Sequence, residues 1–239
     1  MASVTAMANC IGLDTSGSVS ILGDLFGFFR ARVPADPCGS GPTRVSLLEL
    51  VRSLQGSHFH LNVIRVGIDT FSDDQIDFID AAVLRAREIY AAVDLGIGRI
   101  EHWDITAADA DGKDNLDSEE AALELTSDWS VANDGLDVFI PLTFIYLGWS
   151  AIGGSCNKSK TTALTGSILH VSRTADGLAR TFSHEVGHYL GLPHPPEGEE
   201  GPLDLMTQTG DVSDICAAVE LNTSQGATVR SHCFVKSGC

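Results

Sequence analysis

Apolar and polar positions follow two different periods along this chain. Residues 60–68 alternate and are rich in β-branched side chains, which predicts a strand. Ser72, followed by Asp73 and Asp74, is typical of a helix N-cap, and the amphipathic stretch after it predicts a helix to about Leu95. The same reasoning predicts strands over residues 99–105, 136–147 and 165–171, and helices over residues 117–125 and 176–190.

The last predicted helix carries two histidines four positions apart, His184 and His188. Positions i and i+4 share one helix face about 5–6 Å apart, so both imidazoles can reach one zinc ion. Gly191 favours a helix end and prolines follow it, so the chain turns and brings back His194 as a third ligand. Three protein ligands leave one position for water, as in catalytic sites. Glu185 can reach that water and is the candidate general base.

This HExxHxxGxxH pattern resembles the metzincin clan of zinc metallopeptidases. The resemblance implies a turn beneath the metal that contains a methionine, and Met206, twelve residues after His194, occupies that place. Some members have a metal-binding tyrosine two residues after this methionine. Here that residue is Gln208, so no fifth protein ligand is expected. The short interval between His194 and Met206 is similar to that of the compact bacterial pappalysin-like members.

The order of the predicted elements matches the fold that the resemblance implies. That fold is an α+β, metzincin-like zincin of two subdomains, with a twisted, mostly parallel sheet and packing helices above the active-site helix. Residues 60–194 would form the catalytic N-terminal subdomain, and residues 195–239 a small C-terminal subdomain with the Met-turn and a helix. Residues 1–59, rich in Gly, Ser and Pro, are interpreted as an N-terminal extension or a pro-region. In it, Cys38 or Asp36 would act either as a latency switch or in an ordinary turn or disulfide.

The strand before the zinc helix has a place in substrate binding. In the family this edge strand borders the cleft, and an extended peptide can pair with it as an additional strand. By its order in the chain, the predicted strand supplies the following residues to that edge: Gly166, Ser167, Ile168 and Leu169.

The resemblance implies a zinc metalloendopeptidase that hydrolyses peptide bonds of a protein or peptide substrate. The alternative is a catalytically silent binding module or toxin subunit with the same fold. Glu185 argues against the alternative, because a silent protein has no physical need of that carboxylate.

Charge and composition exclude other classes of partner. The chain has 15 Lys and Arg against 32 Asp and Glu, a formal charge of −17 that repels phosphate backbones and anionic lipids. The longest apolar run, residues 138–152, is shorter than the ~20 residues of a membrane-spanning helix. We therefore expect neither nucleic-acid binding nor membrane insertion, and we expect a monomer. The acidic residues 109–120 are reminiscent of a calcium loop, but Ser118 falls where an EF-hand has glutamate, so a loop that caps the next helix is favoured over calcium binding.

The six cysteines fit disulfides in an oxidising compartment, which predicts a secreted or extracellular protein. Residues 1–10 nevertheless lack the features of a secretory signal. Three cysteines crowd the last 24 positions, so Cys216 is expected to pair with Cys233 or Cys239. Reduced thiols in a cytosolic protein are the alternative.

Overall fold

The computed structural model describes residues 53, 55–158, 164–171, 175–199, 201–208 and 218–238. The two residues considered for a latency switch, Asp36 and Cys38, lie outside these ranges. The strands are β1 Ser57–Val66, β2 Leu95–Ile105, β3 Asn115–Leu116, β4 Gly135–Pro141, β5 Thr143–Phe144, β6 Gly148–Trp149, β7 Gly166–Leu169 and β8 Lys236–Ser237. The helices are α1 Asp73–Ala91, α2 Ala107–Ala110, α3 Glu119–Trp129, α4 Ala175–Tyr189 and α5 Thr223–Arg230.

The main sheet has the strand order β2-β1-β4-β7-β6, and β8 pairs with the start of β1. Strands β2, β1, β4 and β7 run parallel, whereas β6 is antiparallel to β7 and β8 is antiparallel to β1. Strand β1 is buried along almost its whole length, as expected of a central parallel strand that is covered on both faces. The predicted α+β fold with a mostly parallel sheet is confirmed.

Helices cover both faces of this sheet. On one face, α1 and α4 pack against β1 around a large core that includes Leu61, Tyr90 and Phe182. On the other face, a smaller core joins Ile64 of β1 to Leu125 of α3. The sheet thus holds α4, the helix with the two histidines, against a rigid apolar layer. None of the helices in the described ranges combines the length and apolar character needed to cross a bilayer.

Capping residues explain where two of the helices begin. The Ser72 side chain accepts a hydrogen bond from the Gln75 amide while the Gln75 side chain accepts one from the Ser72 amide, a reciprocal capping box. The predicted N-cap of α1 is therefore confirmed. Ser118 likewise accepts from the Ala121 amide at 3.3 Å, so the acidic loop caps the helix after it, α3, as predicted.

The structure differs from the predicted bounds of several elements. Strand β2 begins at Leu95 and not at residue 99, because α1 ends at Ala91 and does not continue to about Leu95. Strand β1 begins at Ser57, before residue 60, because Ser57 and His58 pair with both β2 and β8. Strand β4 ends at Pro141 and does not continue to residue 147, since proline has no N–H for the ladder. The chain then forms the short β5 and the antiparallel β6. Strand β6 pairs with the outer side of β7, so the prediction that β7 is the edge strand is wrong.

A disulfide joins Cys156 and Cys233. Cys156 lies in the segment after β6 and Cys233 follows α5, so the bond ties the end of the chain to the segment beside the main sheet. This pairing shows that the predicted Cys216–Cys233 bond is wrong. Crowding near the C-terminus was a poor guide because the fold brings a distant loop against the end of the chain. The other predicted pairing, Cys216 with Cys239, lies outside the described residues.

Candidate metal centre

Two of the predicted ligands, His184 and His188, lie on the buried face of α4. Both side chains are nearly inaccessible to solvent, and their ring centroids are 4.5 Å apart. Backbone carbonyls orient both rings: His184 Nδ1 donates a hydrogen bond to Leu205 O at 2.7 Å, and His188 Nδ1 donates to Leu192 O at 2.6 Å. With the proton on Nδ1, each ring presents the lone pair of Nε2.

The end of α4 delivers the third histidine. Gly191 has a φ of 105°, a left-handed conformation that favours glycine, as predicted for the turn that ends this helix. The Gly191 amide donates to His188 O and the Leu192 amide donates to Gly187 O, the two bonds of a Schellman motif. Beyond this turn, His194 returns so that its Nε2 lies 3.1 Å from Nε2 of His184 and 3.0 Å from Nε2 of His188.

The three imidazoles fit a zinc ion. One nitrogen of each ring points to a common centre. The three rings are neutral near pH 7, as metal binding requires. Burial, reinforced by the positive charge of Arg180, lowers the pKa of His184 to about 2, and burial lowers the pKa of His188 to about 4. Burial also lowers the pKa of His194. This set of nitrogen donors suits zinc better than the hard cations that prefer oxygen.

Glu185 lies beside the histidines, and the residues around its side chain leave little free space. A Cβ atom on Gly148 would lie only 2.5 Å from Cγ and Oε1 of Glu185, so the glycine of β6 makes space for the carboxylate. Burial raises the pKa of Glu185 to about 8, against the opposing effect of the Arg180 charge. The Ser167 hydroxyl of β7 donates to the backbone oxygen of Glu185 at 3.1 Å and ties the helix to the sheet.

Met206, the residue predicted for the Met-turn, is fully buried and packs close to α4 at Gly187. A Cβ atom on Gly187 would lie 2.9 Å from Met206 Sδ, so the glycine of α4 allows the close approach. Asp204 shapes the turn by accepting a hydrogen bond from the Met206 amide at 2.7 Å, and Gln225 of α5 donates to the same carboxylate. The C-terminal helix therefore supports the turn.

Sequence reasoning missed Arg180, the largest fully buried side chain of the described residues. It lies one helical turn before His184, and its guanidinium donates to the backbone oxygens of Leu205 and Thr207, on either side of Met206. Leu205 O also accepts from His184, so one carbonyl joins the arginine to a predicted ligand. An arginine on the core-facing side of an amphipathic helix was the signal that could have revealed it.

An open cleft of about 550 Å³ lies in front of these residues. Its floor includes the three histidines and Glu185, and β6 with its flanking residues forms one wall. Four exposed apolar side chains line that wall: Ile145, Tyr146, Leu147 and Ile152. The residues predicted to border the cleft, 166–169, are instead buried in the interior strand β7. The wall therefore includes residues 145–147, which were predicted to be the end of the strand over residues 136–147.

The loop after β6 is attached to the end of α4. The Gly153 amide donates to His188 O at 2.9 Å, the Gly154 amide donates to Tyr189 O at 2.8 Å, and the Tyr189 hydroxyl donates to Ser155 O. The Cys156–Cys233 disulfide follows directly. These bonds hold the cleft wall and the metal-binding helix in a fixed relation.

Together these features define a metzincin-like zincin fold: two converging histidines on one helix, a third histidine after a glycine turn, a buried methionine close to the same helix, and a mostly parallel sheet. The family described as metallo-peptidase family M12B, reprolysin-like, matches residues 76–195. The chain belongs to this family. The pappalysin-like subtype stays a prediction.

The fold is also similar to a solved structure, the crystal structure of metalloproteinase-II from Bacteroides fragilis, with a TM-score of 0.50 and 12% sequence identity. The match covers 84% of this chain and 59% of the other, so this chain spans well under two thirds of that protein's length. No curated protein matches the chain.

Proposed function

We propose that the protein is a zinc-dependent endopeptidase in which His184, His188 and His194 hold the metal and Glu185 is the general base. The observation that carries this proposal is the convergence of three imidazoles beside a buried carboxylate at the floor of an open cleft, with Nε2 of His194 3.1 Å from that of His184 and 3.0 Å from that of His188. Membership of a metallopeptidase family supports the same reaction class.

The chemistry divides between the ion and the protein. His184, His188 and His194 would hold the zinc ion, which would supply a Lewis acid and lower the pKa of a water molecule towards 7. Glu185 takes the proton of the attacking water and then hands it to the amine of the leaving product. Gly148 has no side chain and so leaves space for this carboxylate close to the cleft wall. The carbonyls of Leu205 and Leu192 keep the rings of His184 and His188 in their binding orientation.

The substrate would be an extended peptide that pairs with the main chain of β6. Strand β6 is the last strand at that end of the sheet among the described residues, and it runs along the cleft. An added strand would satisfy its outer backbone groups, while the apolar side chains on the wall contact alternate residues of the peptide. We further propose that the two subdomains meet after His194 and that the protein works in an oxidising compartment, which the Cys156–Cys233 disulfide supports.

The variant Glu185→Gln tests the role of the base, because the amide keeps the size of the side chain and cannot take a proton. Cleavage of a peptide library should fall by about 10²–10⁴-fold, the usual contribution of general acid–base catalysis, while the zinc content stays at one ion per chain. Glu199→Gln, at an exposed glutamate, is the matched control and should leave both quantities unchanged.

Two outcomes would contradict the proposal. Cleavage by Glu185→Gln at the rate of the parent would exclude Glu185 as the base. A parent protein that holds zinc and binds peptides without cleaving any of them would favour the silent binding module.

A further inference from the structure

The three ligand rings differ in what orients them. Backbone carbonyls fix His184 and His188, and no side-chain substitution removes a carbonyl. His194 instead has its Nδ1 3.0 Å from the side-chain nitrogen Nε2 of Gln208. His194 and Gln208 also lie on two separate loops, one after α4 and one after Met206, so this contact closes the metal centre on its exposed side.

The position of the proton on the His194 imidazole decides whether Gln208 has to donate or accept a hydrogen bond. When Nε2 of His194 binds a metal ion, its Nδ1 carries the proton and needs an acceptor. An amide has one acceptor end and one donor end of nearly equal size, so Gln208 presents Oε1 to Nδ1 by rotating half a turn about its last torsion angle. The Gln208 side chain is exposed, so this rotation meets little steric resistance.

We propose that Gln208 is a positioning residue that accepts the Nδ1 proton of His194 and so sets the zinc affinity of the third ligand. This inference rests on the proposed zinc site. Gln208 would support His194 as the carbonyl oxygens support the other two ligands. Because this support comes from a side chain, two positions after Met206, it can be removed by a substitution. Because the Met-turn carries Gln208, the position of the turn is transmitted to His194 through this bond.

The test is a zinc titration of the full chain against a competing chelator, with two variants. Gln208→Leu removes the acceptor at similar size, and its zinc dissociation constant should rise about 10–100-fold, the typical effect of losing such an outer partner. Gln208→Glu keeps an acceptor and adds a charge that favours the Nδ1 proton, so it should bind zinc at least as tightly as the parent. Gln55→Leu, at an exposed glutamine outside the cleft, is the control and should not change the constant.

A second measurement separates positioning from a structural role. The metal-free forms of parent and Gln208→Leu should unfold at the same urea concentration, because an exposed side chain contributes little to the core. Equal zinc affinity of parent and Gln208→Leu would overturn the inference while leaving the proposed zinc site intact, and so would equal weakening by Leu and Glu. A parent that binds no zinc would instead overturn the proposed function itself.

Discussion

The metal centre has two halves that are built in different ways. The helical half consists of His184, Glu185 and His188 on α4, whose backbone is held by regular hydrogen bonds and by the apolar layer under the sheet. The loop half consists of His194 and the Met206 turn, which have no helix or strand of their own and depend on a few polar side-chain contacts. Arg180 and Asp204 provide those side chains, one from α4 and one from the turn itself.

This difference shows which part of the metal centre is more sensitive to point substitutions. One regular helix positions both His184 and His188. A point substitution elsewhere in the protein therefore moves these two ligands little. The loop half is held by a few polar contacts, so each of those contacts has a separate effect on the third ligand. Three experiments measure how far the two halves are independent.

Removal of zinc should have the largest effect and should be unequal in the two halves. At a free zinc concentration about 1,000 times the dissociation constant, binding stabilises the folded protein by about 4 kcal/mol. A chelator should therefore lower the melting temperature, and hydrogen exchange should accelerate mainly in residues 201–208. Amides of α4 should stay protected, because the core holds the helix without the metal. Equal acceleration in both segments would show that the halves form one cooperative unit.

Replacement of Arg180 should have the next largest effect, because this side chain bridges the two halves. Arg180→Met removes two charge-assisted hydrogen bonds to buried carbonyls, each typically worth about 1.5–3 kcal/mol. The free energy of unfolding of the metal-free protein should fall by about 3 kcal/mol in urea, and Arg180→Lys should lose less. Arg85→Met, at the ion pair with Glu88 on α1, is the control and should cost about 0.5 kcal/mol. An unchanged urea midpoint of unfolding for Arg180→Met would show that Arg180 does not bridge the two halves.

A substitution at Gly187 should have the smallest effect. Gly187→Ala places a methyl group 2.9 Å from Met206 Sδ, and overpacking of this kind costs about 1–3 kcal/mol. Alanine gains up to about 1 kcal/mol in helix propensity, so a net loss of about 1 kcal/mol is expected in chemical unfolding. Combining it with Met206→Leu should give a favourable coupling energy. If Gly187→Ala stabilises the protein, the Met-turn yields more easily than the close packing indicates.

The sequence predicted the helical half well because its information is local. The spacing of His184 and His188 and the glycine at 191 each specify a conformation within one or two turns of helix, and the structure places all three as expected. His194 was also placed correctly, since the prolines after Gly191 leave the chain few other paths. Helix and strand order followed from the same short-range patterns.

The remaining features depend on contacts between residues far apart in the chain. Arg180 reaches the Met-turn more than 20 positions later, and no local pattern reveals a partner at that separation. The edge of the sheet was assigned to β7 because the two-residue β6 is too short to produce a periodic signal. The pairing of Cys156 with Cys233 spans 77 positions and follows from the packing of the segment after β6 against the end of the chain.

The span of that disulfide has a consequence for what a break in the main chain would do to the molecule. All three histidines, Met206 and Gln208 lie between Cys156 and Cys233. A single cut of the main chain anywhere in this interval therefore leaves two fragments that remain covalently joined. The bond thus gives the molecule tolerance to cleavage within the same segment that carries the three histidines.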